Sequence, residues 1–231
     1  LHVLFVQLGL KRGDKIALCG RNCANWAVAY LAIAAYEGVC VSILQDFTAV
    51  DIAHLLEHSD SELLFVGPYV WKDLQNQPLP PKIKAALSLE DWRPLYERKD
   101  SKKEKAVHVL TAEEWQEAFQ AKYPRAIEPE DVYFSADPEV LSLINYTSGS
   151  TGSPKGVMLN GRSLSNNVEI GMKILPVEPG QRLVSMLPLA HMFGQVCELL
   201  YPLCSGTHIY FLTKSPTPSI LLKAMKEVQP Y

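Results

Sequence analysis

Short apolar runs recur along the chain at residues 16–19, 39–44, 63–66, 140–146, 183–187 and 208–212, bounded by Gly, Pro or Asp. They carry apolar residues on both faces, which is the pattern of strands buried from two sides. Between them stand stretches of helical length and period at residues 25–36, 48–58, 164–174 and 220–228. Strands of this kind alternating with helices predict an α/β fold of mainly parallel sheets flanked by helices. No internal repeat is visible, which argues against a solenoid.

The alternation fails between Leu74 and Glu139. Pro78, Pro80 and Pro81 force an extended or turned backbone, because each ring fixes φ and removes a donor. Residues 97–105 form a mixed charge run with five basic and three acidic side chains, read as a solvated loop. Residues 112–122 have the period of a short amphipathic helix. The predicted organisation is therefore a first α/β part at 1–75, a linker-rich segment at 76–139 and a second α/β part at 140–231.

Composition narrows the class. The chain has 231 residues, 48% hydrophobic and 20% charged, the balance of an ordinary globular protein. Its formal net charge of −3 gives no basic excess for nucleic acid. The richest apolar stretch, 26–44, is broken by Glu37 and Gly38, and its uninterrupted core, 27–36, is too short to cross about 30 Å of hydrocarbon. Residues 1–10 lack an initiator Met, a basic region and a cleavage pattern, so they do not read as a signal peptide. The chain reads instead as a piece of something longer. Cys19, Cys23, Cys40, Cys197 and Cys204 form an odd set without a CxxC pair. Free reduced thiols are the expectation, which favours the cytoplasm.

The candidate chemistry lies directly after the apolar run 140–146. Thr147, Ser148, Gly149, Ser150, Thr151 and Gly152 are followed by Ser153, Pro154, Lys155 and Gly156. Glycines permit close backbone approach, successive N–H groups in such a turn form an anion nest, and the hydroxyls add donors. With Lys155 as a cation, the stretch suits a polyphosphate. A Ser/Gly linker is the bland alternative, yet a linker has no reason to follow a buried strand and resume apolar character at once. The stretch is not a Walker A loop, because a proline precedes its lysine and a glycine follows.

The string YTSGSTGSPKGVML resembles the phosphate-binding loop of the adenylate-forming superfamily, which includes acyl-CoA synthetases, luciferases and peptide-synthetase adenylation domains. LGLKRGDKIALCGRNCANWAVAYLAIAAYEGVCVSIL and DIAHLLEHSDSELLFV resemble the opening α/β units of acyl-CoA synthetases. MLPLAHMFG at 186–194 resembles the segment that walls the acyl pocket, in a form most like the long-chain fatty acid group.

The resemblance implies an incomplete N-terminal domain of the adenylate-forming fold, and an enzyme that joins a fatty acid to ATP as an acyl-adenylate and then to coenzyme A, with Mg2+ on the triphosphate. It implies that Thr147, Ser148, Gly149, Ser150, Thr151 and Gly152 cradle the β- and γ-phosphates and that Lys155 neutralises the departing pyrophosphate. His191, Met192 and Phe193 would border the acyl carboxylate or its tunnel. A histidine that merely caps a helix is the competing reading of His191. The chain stops at Tyr231, before the adenine-binding aromatic, the ribose-binding Asp and the adenylation lysine that such enzymes carry, so it is expected to be inactive alone. Another acid ligase, an amino-acid adenylation domain and a non-catalytic phosphate-binding module remain open, as does peripheral membrane contact of the full-length protein.

One pattern competes with this reading. His54, Glu57 and His58 match the HxxEH spacing of inverted zinc peptidases. The plainer account is an amphipathic helix with Ile52, Leu55 and Leu56 turned to the sheet. Asn160-Gly161 departs from the Thr-His usual after the loop's apolar tail, though Asn160 can still cap the next helix.

Overall fold

The computed structural model describes residues 1–99, 109–125, 137–147 and 154–231. A seven-stranded sheet runs in the order β5-β4-β3-β1-β2-β6-β7. Its strands are β1 (Lys15–Cys19), β2 (Val39–Ile43), β3 (Leu63–Val66), β4 (Ala85–Ser88), β5 (Pro94–Glu97), β6 (Leu141–Thr147) and β7 (Lys155–Asn160). β4, β3, β1, β2 and β6 are mutually parallel, and only the edge strands β5 and β7 run antiparallel to their neighbours. The fold class predicted from alternation is the one observed.

The two-sided apolar pattern has a direct physical outcome. Successive strand residues point to opposite faces, so Ile16 and Leu18 enter one core while Ala17 and Cys19 enter the other. On the first face α1 (His2–Gln7) and α2 (Ala24–Ala35) bring Leu4, Phe5, Trp26, Tyr30 and Ile33. On the second face α3 (Ala49–His58) and α4 (Pro68–Leu74) bring Ile52, Leu55, Leu56, Val70 and Leu74. Thr48 starts α3 with a capping box closed by Asp51.

Several strands depart from expectation. β4 and β5 lie inside the segment read as linker, and β6 and β7 join the same sheet as the first three strands. β4 is Ala-Ala-Leu-Ser, without a β-branched residue, yet every position is buried and paired to β3. β7 begins at the lysine of the phosphate-loop motif. The 112–122 helix forms as α5 (Ala112–Lys122) behind its own capping box from Thr111 and Glu114.

A second, two-stranded parallel sheet pairs β8 (Arg182–Ser185) with β9 (His208–Phe211). Around it lie α6 (Gly161–Ile174), α7 (Met192–Gln195), a π-helical turn at Val196–Leu200, α8 (Tyr201–Cys204) and α9 (Pro218–Val228). Asn160 caps α6 by accepting from the Ser163 N–H at 2.9 Å. No described helix is long and apolar enough to cross a membrane.

Candidate active site

β6 and β7 make a hairpin at the carboxyl edge of the parallel strands, where open α/β sheets place ligands. Ser148, Gly149, Ser150, Thr151 and Gly152, which follow β6 in sequence, lie outside the described residues. The two ends of the turn are described. Thr147 closes β6 and stands opposite Lys155, the first residue of β7. Both are exposed, and the Lys155 ammonium has no carboxylate partner among the described residues.

The hairpin is anchored from beneath. Tyr146 and Gly156 are paired across the strands, and a Cβ on Gly156 would come within 3.1 Å of Ile144 and 3.3 Å of the Tyr146 ring. The Tyr146 hydroxyl reaches across to α3 and bonds His58 Nδ1 at 2.7 Å. Burial raises the Tyr146 pKa. His58 of the HxxEH pattern is thus a partner of the hairpin strand. Among the described residues no cluster of three or more His, Cys, Asp or Glu side chains could hold a metal. The Mg2+ expected from the resemblance accordingly finds no ready ligand set there.

The MLPLAHMFG segment follows β8. Leu187 and Pro188 lie beyond that strand, and the next helix opens at Met192 rather than at Pro188. The helix start is set by the side chain at 191, because His191 Nδ1 accepts the Phe193 N–H at 3.3 Å. His191 therefore has the capping role, and the cap leaves Nε2 to carry the proton of the neutral ring. His191 is exposed, so that nitrogen can still meet a ligand. Phe193 is 60% exposed, whereas Met192 packs with Val177, Cys197 and Leu200 against Val168, Val196 and Tyr201. Gly194 is required here, since a Cβ would fall 2.4 Å from the Pro188 carbonyl oxygen.

Three buried polar side chains hold this segment, and none belongs to a local motif. Asn22, in the turn after β1, donates to Ser185 Oγ at 3.0 Å and the Leu187 carbonyl at 2.7 Å, and accepts from the Leu189 N–H at 3.0 Å. Asn145 on β6 donates to the Ala190 carbonyl at 2.6 Å. Glu198, in the π-helical turn, accepts from the Met186 and Leu187 N–H groups at 2.7 and 2.8 Å. Burial raises the Glu198 pKa, against bonds from Leu187, Ser185 and Met186 that lower it. The one available signal in the sequence is a lone polar residue inside an apolar run, as in LSLINYT.

A cavity of about 560 Å³ opens separately at the carboxyl ends of β1, β3 and β4, beside Arg21, Gln45 and Tyr69. None of the described residues expected at the site, Thr147, Lys155, His191, Met192 and Phe193, lines it. The Arg21 guanidinium lies over the Tyr69 ring at 4.7 Å. All five cysteines are free. Burial raises the pKa of Cys19 and pushes that of Cys40 up to about 12, so neither is a ready nucleophile.

Comparison with known proteins gives the family and the fold. A family model described as AMP-binding enzyme matches residues 2–231. The long-chain-fatty-acid CoA ligase ACSBG1 of Rattus norvegicus is 24% identical, over 98% of this chain and 31% of the relative. The chain thus spans about a third of the length of the curated relatives it matches. Among solved structures, the N-terminal domain of FACL13 from Mycobacterium tuberculosis superposes with a TM-score of 0.68 at 17% identity, covering 97% of this chain and 50% of that one. ATP-bound MatB from Rhodopseudomonas palustris gives 0.70 at 20% identity, covering 97% and 40%. The fold shared with these structures is the N-terminal domain of adenylate-forming enzymes. With a hydroxyl-rich stretch in sequence before Lys155, and a match that extends over nearly every residue, the chain belongs to the AMP-binding enzyme family.

Proposed function

We propose that this chain is the N-terminal part of a longer cytoplasmic enzyme that activates a long-chain fatty acid with ATP and transfers the acyl group to coenzyme A. A carboxylate is a poor acyl donor because its leaving group would be oxide. Attack of its oxygen on the α-phosphorus of ATP forms a P–O bond and expels pyrophosphate, and the coenzyme A thiol then displaces AMP from the acyl-adenylate. The chain's own contribution is positioning and charge. Thr147 and the following turn hold the triphosphate tail, Lys155 faces the charge that builds on pyrophosphate, and His191 with Phe193 borders the acid.

The observation that supports this most directly is the hairpin register, which sets Lys155, without a carboxylate partner among the described residues, against Thr147. The curated relatives named for long-chain fatty acids support the acid class. The test is acid-dependent ATP–pyrophosphate exchange by the full-length protein across fatty, aromatic and amino acids. Fatty acids are expected to support exchange best, and Lys155→Ala should slow it about 100-fold, the usual effect of losing one preorganised donor. Preference for aromatic or amino acids would reassign the substrate. Absence of exchange with every acid would leave a phosphate-binding module without this chemistry, and wild-type kinetics in Lys155→Ala would remove that lysine from the mechanism.

A further inference from the structure

The segment that carries His191 is held between two amide side chains that approach from different parts of the fold. Asn22 grips it at Ser185, Leu187 and Leu189 from the turn after β1. Asn145 grips it at Ala190, the residue directly before His191. Both asparagines are buried, at 6% and 3% exposure. Asn145 stands two residues before Thr147 on the same strand, so the two share a face of the sheet. Among the described residues, no other hydrogen bond joins β6 to the 186–193 segment.

This arrangement is costly if stability is its only purpose. The single bond from Asn145 contributes no more to stability than an apolar side chain of similar size would. What the amide adds is a fixed distance. The route from Thr147 to His191 runs along β6 to Asn145, through its side chain to the Ala190 carbonyl and across one peptide, so any slack in the Asn145 bond changes the separation of Thr147 and His191. Reaction geometry is sensitive at that scale, and a misplacement of about 1 Å can lower a rate roughly 100-fold.

We propose that Asn145, with Asn22 as the second anchor, is a positioning residue for acid activation, fixing the segment that carries His191 relative to Thr147 at the end of β6. This rests on the functional reading of Thr147, Lys155 and His191 given above. Asn145 touches neither ATP nor the acid. Its effect is to bring the acid's oxygen and the α-phosphorus to attack distance.

The experiment uses the full-length enzyme, with ATP–pyrophosphate exchange measured as functions of ATP, fatty acid and pH, and thermal melts alongside. In Asn145→Leu, kcat should fall about 10–100-fold while the KM for ATP stays within about 3-fold, because the turn itself is untouched. In Asn145→Asp, which has nearly the same size, an ionised carboxylate would face the Ala190 carbonyl oxygen, and only the protonated form could donate. Burial and the facing oxygen raise the pKa of such a group. The ratio of variant to wild-type activity should therefore rise as pH falls, and using the ratio cancels the titration of groups common to both proteins. Asn22→Asp, set against the Leu187 carbonyl, should behave in the same sense.

A wild-type kcat in folded Asn145→Leu, or an Asn145→Asp ratio independent of pH, overturns the proposal. If Asn145→Leu does not fold, Asn145→Asp decides through its pH ratio alone. Normal exchange in His191→Ala with impaired exchange in the Asn145 variants would support the positioning role while removing His191 from the chemistry. Absence of exchange by the wild type overturns the functional reading and this role with it.

Discussion

Glu198 offers the sharpest test of how the 186–194 segment is held. Its side chain is 7% exposed and accepts two backbone N–H groups, from Met186 and Leu187. In Glu198→Ala both donors lose their acceptor in a buried setting, at about 1–3 kcal/mol each. The expected loss is therefore about 2–6 kcal/mol, and at about 2–4 °C per kcal/mol for a chain of this length the melting temperature should drop by at least several degrees. Glu198→Gln is the informative partner, because it keeps an acceptor oxygen and removes the charge. Burial holds the Glu198 pKa above its ordinary value. Across the window from the unfolded carboxyl range up to that raised value, the native state binds more protons than the unfolded chain. Stability from this site is accordingly full at acid pH and is lost as pH rises through the window. The glutamine side chain does not titrate, so the variant should gain on wild type as pH increases from about 4 towards 7. Urea unfolding of both proteins over that range measures the difference, and subtracting one from the other cancels the remaining carboxylates. A difference that is flat, or that moves against glutamine with rising pH, would refute the assignment of burial as the dominant influence. An alanine cost under about 1 kcal/mol would show that the two donors are satisfied by something else.

The core strands and the support of the site differ in how far they can be seen in the sequence, and the reason is range. β1, β2, β3 and β6 are apolar on both faces, which is a property of four to seven consecutive residues and needs no partner to recognise. β4 is invisible on the same criterion, because Ala85 and Ala86 favour helix in isolation and become strand only through pairing with Leu63 and Leu64. β7 is an edge strand of mostly exposed residues, so it lacks alternation altogether. Pro188 has the look of a first helical residue, a position proline favours, yet the helix waits for the cap provided by His191. The phosphate-loop and acyl-segment motifs are contiguous and legible. Asn22 and Asn145 are not, since their partners lie 163–167 and 45 residues away. An asparagine in an apolar run signals that some bond must be made, without saying to what.

Three further outcomes are expected. Tyr146→Phe deletes the bond to His58 and should cost about 0.5–1.5 kcal/mol in urea unfolding; a larger loss would mean that the ring also moves. Gln195 is fully buried with neither amide atom bonded to a protein group, so Gln195→Met should stabilise by about 1–3 kcal/mol, and a destabilised variant would show that an ordered water satisfies the amide. Gly194→Ala should be the most damaging small substitution in the 186–194 segment. The added methyl would sit 2.4 Å from the Pro188 carbonyl oxygen and 3.1 Å from its carbon, and backbone cannot rotate away as a side chain can. Relief requires the turn before His191 to shift against its Asn22 and Asn145 anchors. The cost should reach at least about 1–3 kcal/mol, with acid-dependent exchange in the full-length protein falling more steeply than stability. Unaltered exchange and melting in this variant would mean that the segment is free to move, and the argument that its position is tightly set would fail.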